Sequence, residues 1–146
     1  MKLRTSLTAA GAAAVLGVTG ALVLPAVASA HSASTTLKFT AVQKGTVSFS
    51  KAAQGIQDTD VNAIGKTVGF DMLNVTATSP TAGSANVTVD ANGGFLYGTF
   101  TINFKTGAVT NGKVTGGTGA FAGATGTIKV KTISNTKHAV TITYTG

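Results

Sequence analysis

Several residue types are missing from the 146-residue chain, and each absence excludes a class of structure or site. The sequence contains no cysteine and no tryptophan, so it has no disulfide bonds and no cysteine that could carry a lipid anchor. It also lacks glutamate, and its acidic residues are Asp58, Asp60, Asp71 and Asp90. Its two histidines, His31 and His138, have no nearby cysteine or glutamate to complete a zinc site. The fold must therefore be held by a packed core, and we predict no metal and no cofactor.

The formal net charge is +7, but the positive charges are dispersed. Arg4 is the only arginine, and beyond the N-terminal region the lysines occur singly from Lys38 to Lys137. A nucleic-acid-binding surface would cluster basic residues, preferably with stacking aromatic residues. We therefore predict a soluble basic surface and no nucleic-acid partner. Weak attraction to anionic polymers of the cell surface is the alternative.

The first thirty residues have the pattern of an export signal. Lys2 and Arg4 precede an apolar run over residues 7–24, and Pro25 is followed by the small-residue pattern Ala28-x-Ala30. A membrane anchor is the competing interpretation, but the run is diluted by Ala, Gly and Thr and ends in a cleavage pattern. We predict a signal peptide at residues 1–30 and one domain at residues 31–146, secreted or associated with the cell wall, with no membrane contact after cleavage. Cleavage leaves nine lysines and four aspartates, a net charge of +5.

From Thr35 onward, apolar residues alternate with Thr, Ser and Lys, as in "LKFTAV", "FLYGTFTINF" and "AVTITYT". Alternation of this kind, with many β-branched residues, is typical of strands, and the frequent glycines disfavour helices. Turn sequences such as "SPTAGS", "ANGG" and "SNTK" separate the runs. About eight short strands with short connections predict an eight-stranded antiparallel β-barrel, with a β-sandwich as the alternative.

The glycine-rich stretch "GGTGAFAGATG" at residues 116–126 admits three interpretations. A dinucleotide-binding loop must open a helix, but a strand pattern follows here, and no acidic residue lies about twenty positions further on. A flexible linker should separate two units, yet only twenty residues follow, and Phe121 favours burial. The remaining interpretation is a corner of the sheet with Phe121 pointing inward. This structural motif comprises Gly116, Gly117, Gly119, Phe121, Gly123 and Gly126.

The same stretch, "VTGGTGAFAGATGTIKV", resembles the glycine-rich signature of the allene oxide cyclase/dirigent-like β-barrel superfamily. The order of the earlier segments also agrees with this resemblance. They are an early "LKFTAV" strand, an acidic "DTD" loop, "VGFDML" and "GGFLYGTFTI". It implies an eight-stranded barrel with an apolar interior, homo-oligomeric in some members. The dirigent and cyclase site constellations include an Arg or a Glu, which the mature chain lacks, so the chemistry does not transfer intact. Asp58 or Asp60 is the nearest match to the dirigent acidic position, and Tyr97 or Tyr144 could supply a phenol.

The acidic residues also admit interpretations independent of that resemblance. Asp58-x-Asp60-x-Asn62 has the opening of a calcium loop, but Ala63 stands where such a loop has glycine and Gly69 where it has glutamate. A turn whose side chains cap its own backbone is the simpler interpretation. A Ser48–His138–Asp71 triad is conceivable but has no sequence support beyond its composition. Asp71 lies between Phe70 and Met72, so alternation predicts that it faces solvent; on an inner face, burial would make it an acid–base candidate.

These observations favour a small barrel that binds one small apolar or aromatic molecule. The predicted lining is aromatic: Phe39, Phe49, Phe70, Phe95, Tyr97 and Tyr144. A structural or cell-surface protein with a filled barrel is one alternative. The other is an enzyme, a cyclase or isomerase that acts by confinement or a dirigent-like stereochemical guide, which would place Asp58, Asp60 or Asp71 inward beside a tyrosine such as Tyr97.

Overall fold

The computed structural model describes residues 33–146, and these form a closed antiparallel β-barrel of eight strands. The predicted signal peptide and His31 lie outside the described residues. The strands are β1 (Thr35–Ser50), β2 (Ala53–Val61), β3 (Thr67–Ser79), β4 (Ala82–Ala91), β5 (Gly94–Asn103), β6 (Val109–Gly117), β7 (Thr125–Ser134) and β8 (Lys137–Thr145). The predicted barrel is confirmed, and the sandwich alternative is wrong.

Each strand pairs with its neighbours in chain order, and β8 pairs with β1 to close the sheet. That seam is long, running from Thr35 opposite Tyr144 to Val42 opposite Lys137. The β6–β7 seam is the shortest, with two opposed pairs, Lys113 with Thr127 and Val114 with Gly126. Because a closed sheet has no free edge, its backbone groups find partners without help from a second chain. Among residues 33–146, no helix is long and apolar enough to cross a membrane.

The two ends of the barrel differ. At the end called upper here, the connections β1–β2, β3–β4, β5–β6 and β7–β8 are short turns, two to five residues long. The lower end carries the other connections and the C-terminus, and there a single 3-10 turn, Gly119–Phe121, joins β6 to β7. Phe121 is buried, and its ring contacts the Tyr144 ring edge to face, with centroids 5.5 Å apart. The glycine-rich stretch therefore forms an inward-folded corner at the lower end.

Alternation along the strands divides side chains between the inside and the outside of the barrel. The buried apolar residues come from most strands and include Ala41, Val75, Val87, Leu96, Phe100, Ile128 and Ile142. Large apolar side chains also lie on the outer face: Val47, Phe49, Val68, Phe70, Met72, Phe95, Tyr97 and Ile133. The apolar content of a strand therefore does not by itself reveal which face is inside.

Glycines on the inner face let neighbouring strands approach closely. An added Cβ at Gly126 would overlap the backbone carbonyl of Thr143 on β8, whereas one at Gly45 on β1 would meet nothing within 4 Å. Gly119 adopts a φ of 58°, in the left-handed region that favours glycine, and an added Cβ there would overlap the Gly93 carbonyl. Backbone atoms cannot move aside as a flexible side chain can, so these contacts make the glycine obligatory.

We expect Gly126→Ala to lower the free energy of unfolding by about 1–3 kcal/mol, because the methyl group would force β7 away from β8. Gly45→Ala adds the same methyl group in open space and should change stability by about 0.5 kcal/mol or less. Urea denaturation of both variants measures the difference. Equal stabilities would show that the β7–β8 contact is looser than its geometry indicates.

Candidate functional site

The upper half of the barrel contains a cavity of about 220 Å³. Its wall is mainly apolar and includes Phe39, Ile56, Leu73, Val87, Phe100 and Val130. Gln43, Gln54 and Asn135 lie toward the upper end, where the short turns open to solvent. A dry cavity of about 150 Å³ is enough to hold benzene, so this interior is hollow enough for a small ring compound. The filled-barrel alternative does not describe this interior.

Two carboxyl groups interrupt the apolar wall. Asp58 on β2 and Asp71 on β3 stand directly opposite each other in the strand register, and both line the cavity. Their side chains are buried, with 4% and 3% of their surface exposed. Because residues two apart on a strand share a face, Asp60 also points inward. Asp60 is 1% exposed and lies below the pair.

Asp60 lines a second cavity, of about 340 Å³, toward the lower end. Leu37, Phe121 and Tyr144 contribute to this cavity, whereas Phe39 and Val89 line both. Gly69 stands opposite Asp60 on β3, and an added Cβ there would lie 3.6 Å from Asp60 Oδ2. That distance is an ordinary contact, and the atom that a Cβ at Gly69 would overlap is the backbone carbonyl oxygen of Asp90 on β4. The three aspartates thus run along the β2–β3 wall from one cavity to the other.

The carboxyl oxygens have few partners. Oδ1 of Asp58, Oδ1 of Asp71 and both Oδ atoms of Asp60 are buried without a hydrogen-bond partner. Ionised carboxylates can only accept hydrogen bonds, so three of them side by side cannot satisfy one another. A proton on Asp71 resolves the conflict, since the protonated group donates to Asp58 or Asp60.

The proton affinities of the three groups agree with this arrangement. Burial, followed by the charges of Asp60 and Asp58, raises the pKa of Asp71 to about 9. Burial also raises the pKa of Asp60, to about 7. Burial raises the pKa of Asp58 as well, but His138 and the hydrogen bond from Asp71 oppose that rise. The cavity wall therefore presents a neutral acid, Asp71, beside the group most easily ionised, Asp58.

Three expectations about polar residues need correction. The prediction that Asp71 faces solvent is wrong, because Phe70 and Met72 occupy the outer face and the phase of β3 puts Asp71 inside. The acidic "DTD" segment is not a loop, because it belongs to β2. Only Asn62 behaves as a turn cap, its Oδ1 accepting hydrogen bonds from the backbone N–H groups of Ile64 and Lys66.

The remaining polar candidates separate in space. His138 is half-buried near the start of β8 and lines the upper cavity. Ser48 is exposed and does not line that cavity, so the structure does not bring together a Ser48–His138–Asp71 triad. Within residues 33–146, no group of three or more His, Cys, Asp or Glu side chains is arranged to hold a metal ion.

The predicted aromatic lining divides between the two faces. Phe39 lines the upper cavity, and Tyr144 lines the lower one. Phe49, Phe70, Phe95 and Tyr97 lie on the outer face, 66%, 47%, 44% and 38% exposed, and do not line the upper cavity. In their place the upper wall has aliphatic residues together with Phe100 and Phe104. Phe100 lies inside because it is on the face of β5 opposite that of Phe95 and Tyr97.

Comparisons with known proteins support the fold. No protein-family model matches the chain, and no curated protein matches it. Among solved structures, a protein titled pyocyanin demethylase is similar, with a TM-score of 0.60 and 20% sequence identity over 76% of this chain and all of that one. At this identity the similarity supports a shared small-barrel fold. The assignment to the allene oxide cyclase/dirigent-like superfamily stays a prediction.

The raised pKa values predict how stability depends on pH. A carboxyl group whose pKa is higher in the folded than in the unfolded protein stabilises the fold most at a pH below its unfolded-state pKa. This stabilisation is lost as the pH rises from the unfolded-state pKa through the folded-state pKa. For Asp71 this window extends from about 4 to about 9. We expect the free energy of unfolding to fall from pH 5 to pH 9, as urea denaturation measures it.

Asp71→Asn should make this pH dependence shallower and, at pH 9, should stabilise the protein by about 2 kcal/mol or more, because the amide has no charge to bury. Asp90→Asn, the same substitution at an exposed position on β4, is the matched control and should leave the slope unchanged. Stability that rises with pH in the unmodified protein would contradict a protonated cluster.

Proposed function

We propose that the protein binds one small, mainly apolar molecule, aromatic or aliphatic, in the upper cavity. The observation that carries this proposal is the cavity itself, an apolar space of about 220 Å³ with two carboxyl groups in its wall. Ligand sites are typically concave and apolar with a few polar groups that fix orientation. The barrel of similar shape is named for an activity on pyocyanin, which supports a small-molecule role for this type of barrel.

Two features favour entry from the upper end. The short turns there leave the wall residues Gln54 and Asn135 near solvent, and Phe104 is 43% exposed at the same end. The lower end is narrowed by Phe121, packed on Tyr144. We therefore assign Phe39 and Phe100 to the ligand-contacting wall, and Tyr144 to the packing of the lower end. Secretion, retention at the cell wall and homo-oligomer formation remain predictions from the sequence.

Naphthalene is a suitable neutral probe, and methyl resonances of Ile, Leu and Val report where it binds. We expect resonances of cavity residues such as Ile56, Leu73 and Val87 to shift on titration, whereas those of Val47 and Ile133 on the outer face should not.

Val130→Phe would fill the cavity and should weaken naphthalene binding at least about tenfold. Val47→Phe adds the same ring volume outside and is the matched control. Shifts confined to outer-face methyl groups would contradict the proposal.

A second candidate function is acid–base catalysis on the bound molecule. It is favoured by the juxtaposition of Asp58 and Asp71, which differ in how readily they ionise. Paired groups of this kind can serve as base and acid in one reaction. For a ketone, the Asp58 carboxylate would take a proton from the α-carbon, the C–H electron pair would form the enol double bond, and Asp71 would donate its proton to the carbonyl oxygen. Reversal returns a proton to carbon, which is an isomerase-type reaction.

The bicyclic ketone 2-tetralone tests this chemistry, because in D₂O each reversal replaces an α-hydrogen by deuterium. We expect the protein to accelerate this exchange, and both Asp58→Asn and Asp71→Asn to reduce the acceleration at least about a hundredfold. Asp90→Asn should retain it. Exchange no faster than in buffer, with the ketone bound in the cavity, would leave binding as the function and exclude this role for the pair.

A further inference from the structure

The wall of the upper cavity has more hydrogen-bond acceptors than donors. Its deep wall offers the four oxygens of Asp58 and Asp71, and Oδ1 of each is buried without a partner. Among residues 33–146 no lysine lines the cavity, and the basic side chain that these residues contribute to its wall is His138. Of the amides nearer the mouth, Gln43 already donates its Nε2 hydrogen bond to Thr46 Oγ1, at 2.6 Å. A single shared proton on Asp71 can satisfy only one of these oxygens, so acceptors exceed donors.

We propose that the ligand is an aromatic compound with a cationic nitrogen or an N–H donor group, and that Asp58 and Asp71 are the residues that bind this group. The inference rests on the proposed function, since it names the chemical class that the same cavity selects. An amidinium or a similar planar cation fits best, because its two parallel N–H groups match the two oxygens of one carboxylate.

Other ligand classes are disfavoured by the same surroundings. A hydrocarbon would cover the carboxyl oxygens and leave them without donors, which is costly for buried acceptors. A carboxylate ligand would add a third negative charge beside Asp58 and Asp60, where little water screens the repulsion. The apolar remainder of the wall requires that the cationic group be attached to a ring or a similar apolar body.

A size-matched series separates these classes: 2-naphthamidine, 2-naphthamide, 2-acetylnaphthalene and 2-naphthoate share one bicyclic ring. They carry, in order, a cation, a neutral donor, an acceptor alone and an anion. Affinities come from calorimetry and from the methyl resonances of the cavity residues. We expect the amidine to bind at least about tenfold more tightly than the ketone, with the amide between them and the naphthoate weakest.

The contribution of the carboxyl groups is tested by Asp58→Asn. This variant should lose at least about tenfold in affinity for 2-naphthamidine and keep its affinity for naphthalene, which also shows that the cavity is folded. Asp90→Asn changes the net charge equally on the outer face and should bind the amidine as the unmodified protein does. Asp71→Asn provides a second test if Asp58→Asn does not fold.

The pH dependence gives an independent readout. The ionisable groups that line the upper cavity are Asp58 from β2, Asp71 from β3 and His138 from β8. Asp60 lies below them and lines the lower cavity, which is also lined by Lys38, Asp90 and Tyr144. Raising the pH ionises the carboxyl cluster, so affinity for the amidine should increase between pH 5 and pH 8, while that for naphthalene stays constant.

The outcomes of these measurements distinguish the two proposals. If naphthalene binds in the cavity and the amidine binds no more tightly than the ketone, the present inference is overturned and the proposed function stands. The inference is also overturned if Asp58→Asn and Asp90→Asn weaken amidine binding equally, because the cation then responds to net charge alone. If neither naphthalene nor any member of the series shifts the cavity methyl resonances, both proposals fail.

Discussion

Closure of the sheet is the constraint on which the other features of this protein depend. Eight strands that return to the first leave no free edge strand, so the sheet is held together by its own strand pairing, although the β6–β7 seam contributes only two opposed pairs. Closure also gives every strand one face turned away from water and one face in contact with it. Whether a side chain lies inside or outside the barrel then depends on which of the two alternating sets of residues on its strand points inward, which is the phase of the strand. That phase places three carboxyl groups in the interior and several aromatic rings outside.

The buried carboxyl groups are costly to the fold, and the arrangement limits that cost. Burying three ionised carboxylates without cations would be strongly unfavourable. Placing Asp71 near both Asp58 and Asp60 gives its proton a choice of two acceptors, so protonation removes one buried charge and satisfies one oxygen of a neighbouring carboxyl group. The apolar side chains around it, such as Val89 and Leu96, supply the burial that offsets the remaining cost. Groups kept at such a cost are more often retained for binding or chemistry than for stability.

The fold could be predicted from sequence because period-two alternation and turn residues are local signals. The site could not be predicted in the same way. In "VGFDML" the apolar residues Val68, Phe70 and Met72 form the regular set, and hydrophobicity alone assigns them to the interior. In the folded protein the alternate set, which contains Asp71, points inward instead. Residues distant in sequence determine this choice, since Asp71 pairs with Asp58 on one side and with Val89 on the other. A signal was nevertheless present: once "QDTDV" is recognised as a strand, its two aspartates must share one face.

The difference between the two ends of the barrel gives the carboxyl groups separate surroundings. Asp58 and Asp71 line the upper cavity, beneath short polar turns, whereas Asp60 lines the lower cavity, near the Phe121–Tyr144 contact. A molecule filling the upper cavity would displace water from Asp58 and Asp71 but not from Asp60. Its charge would nevertheless be felt at Asp60, because Asp60 lies in the same buried cluster and the charge of Asp58 already raises its pKa. A cation beside Asp58 would favour the ionised forms of the cluster, whereas an anion would favour the protonated forms.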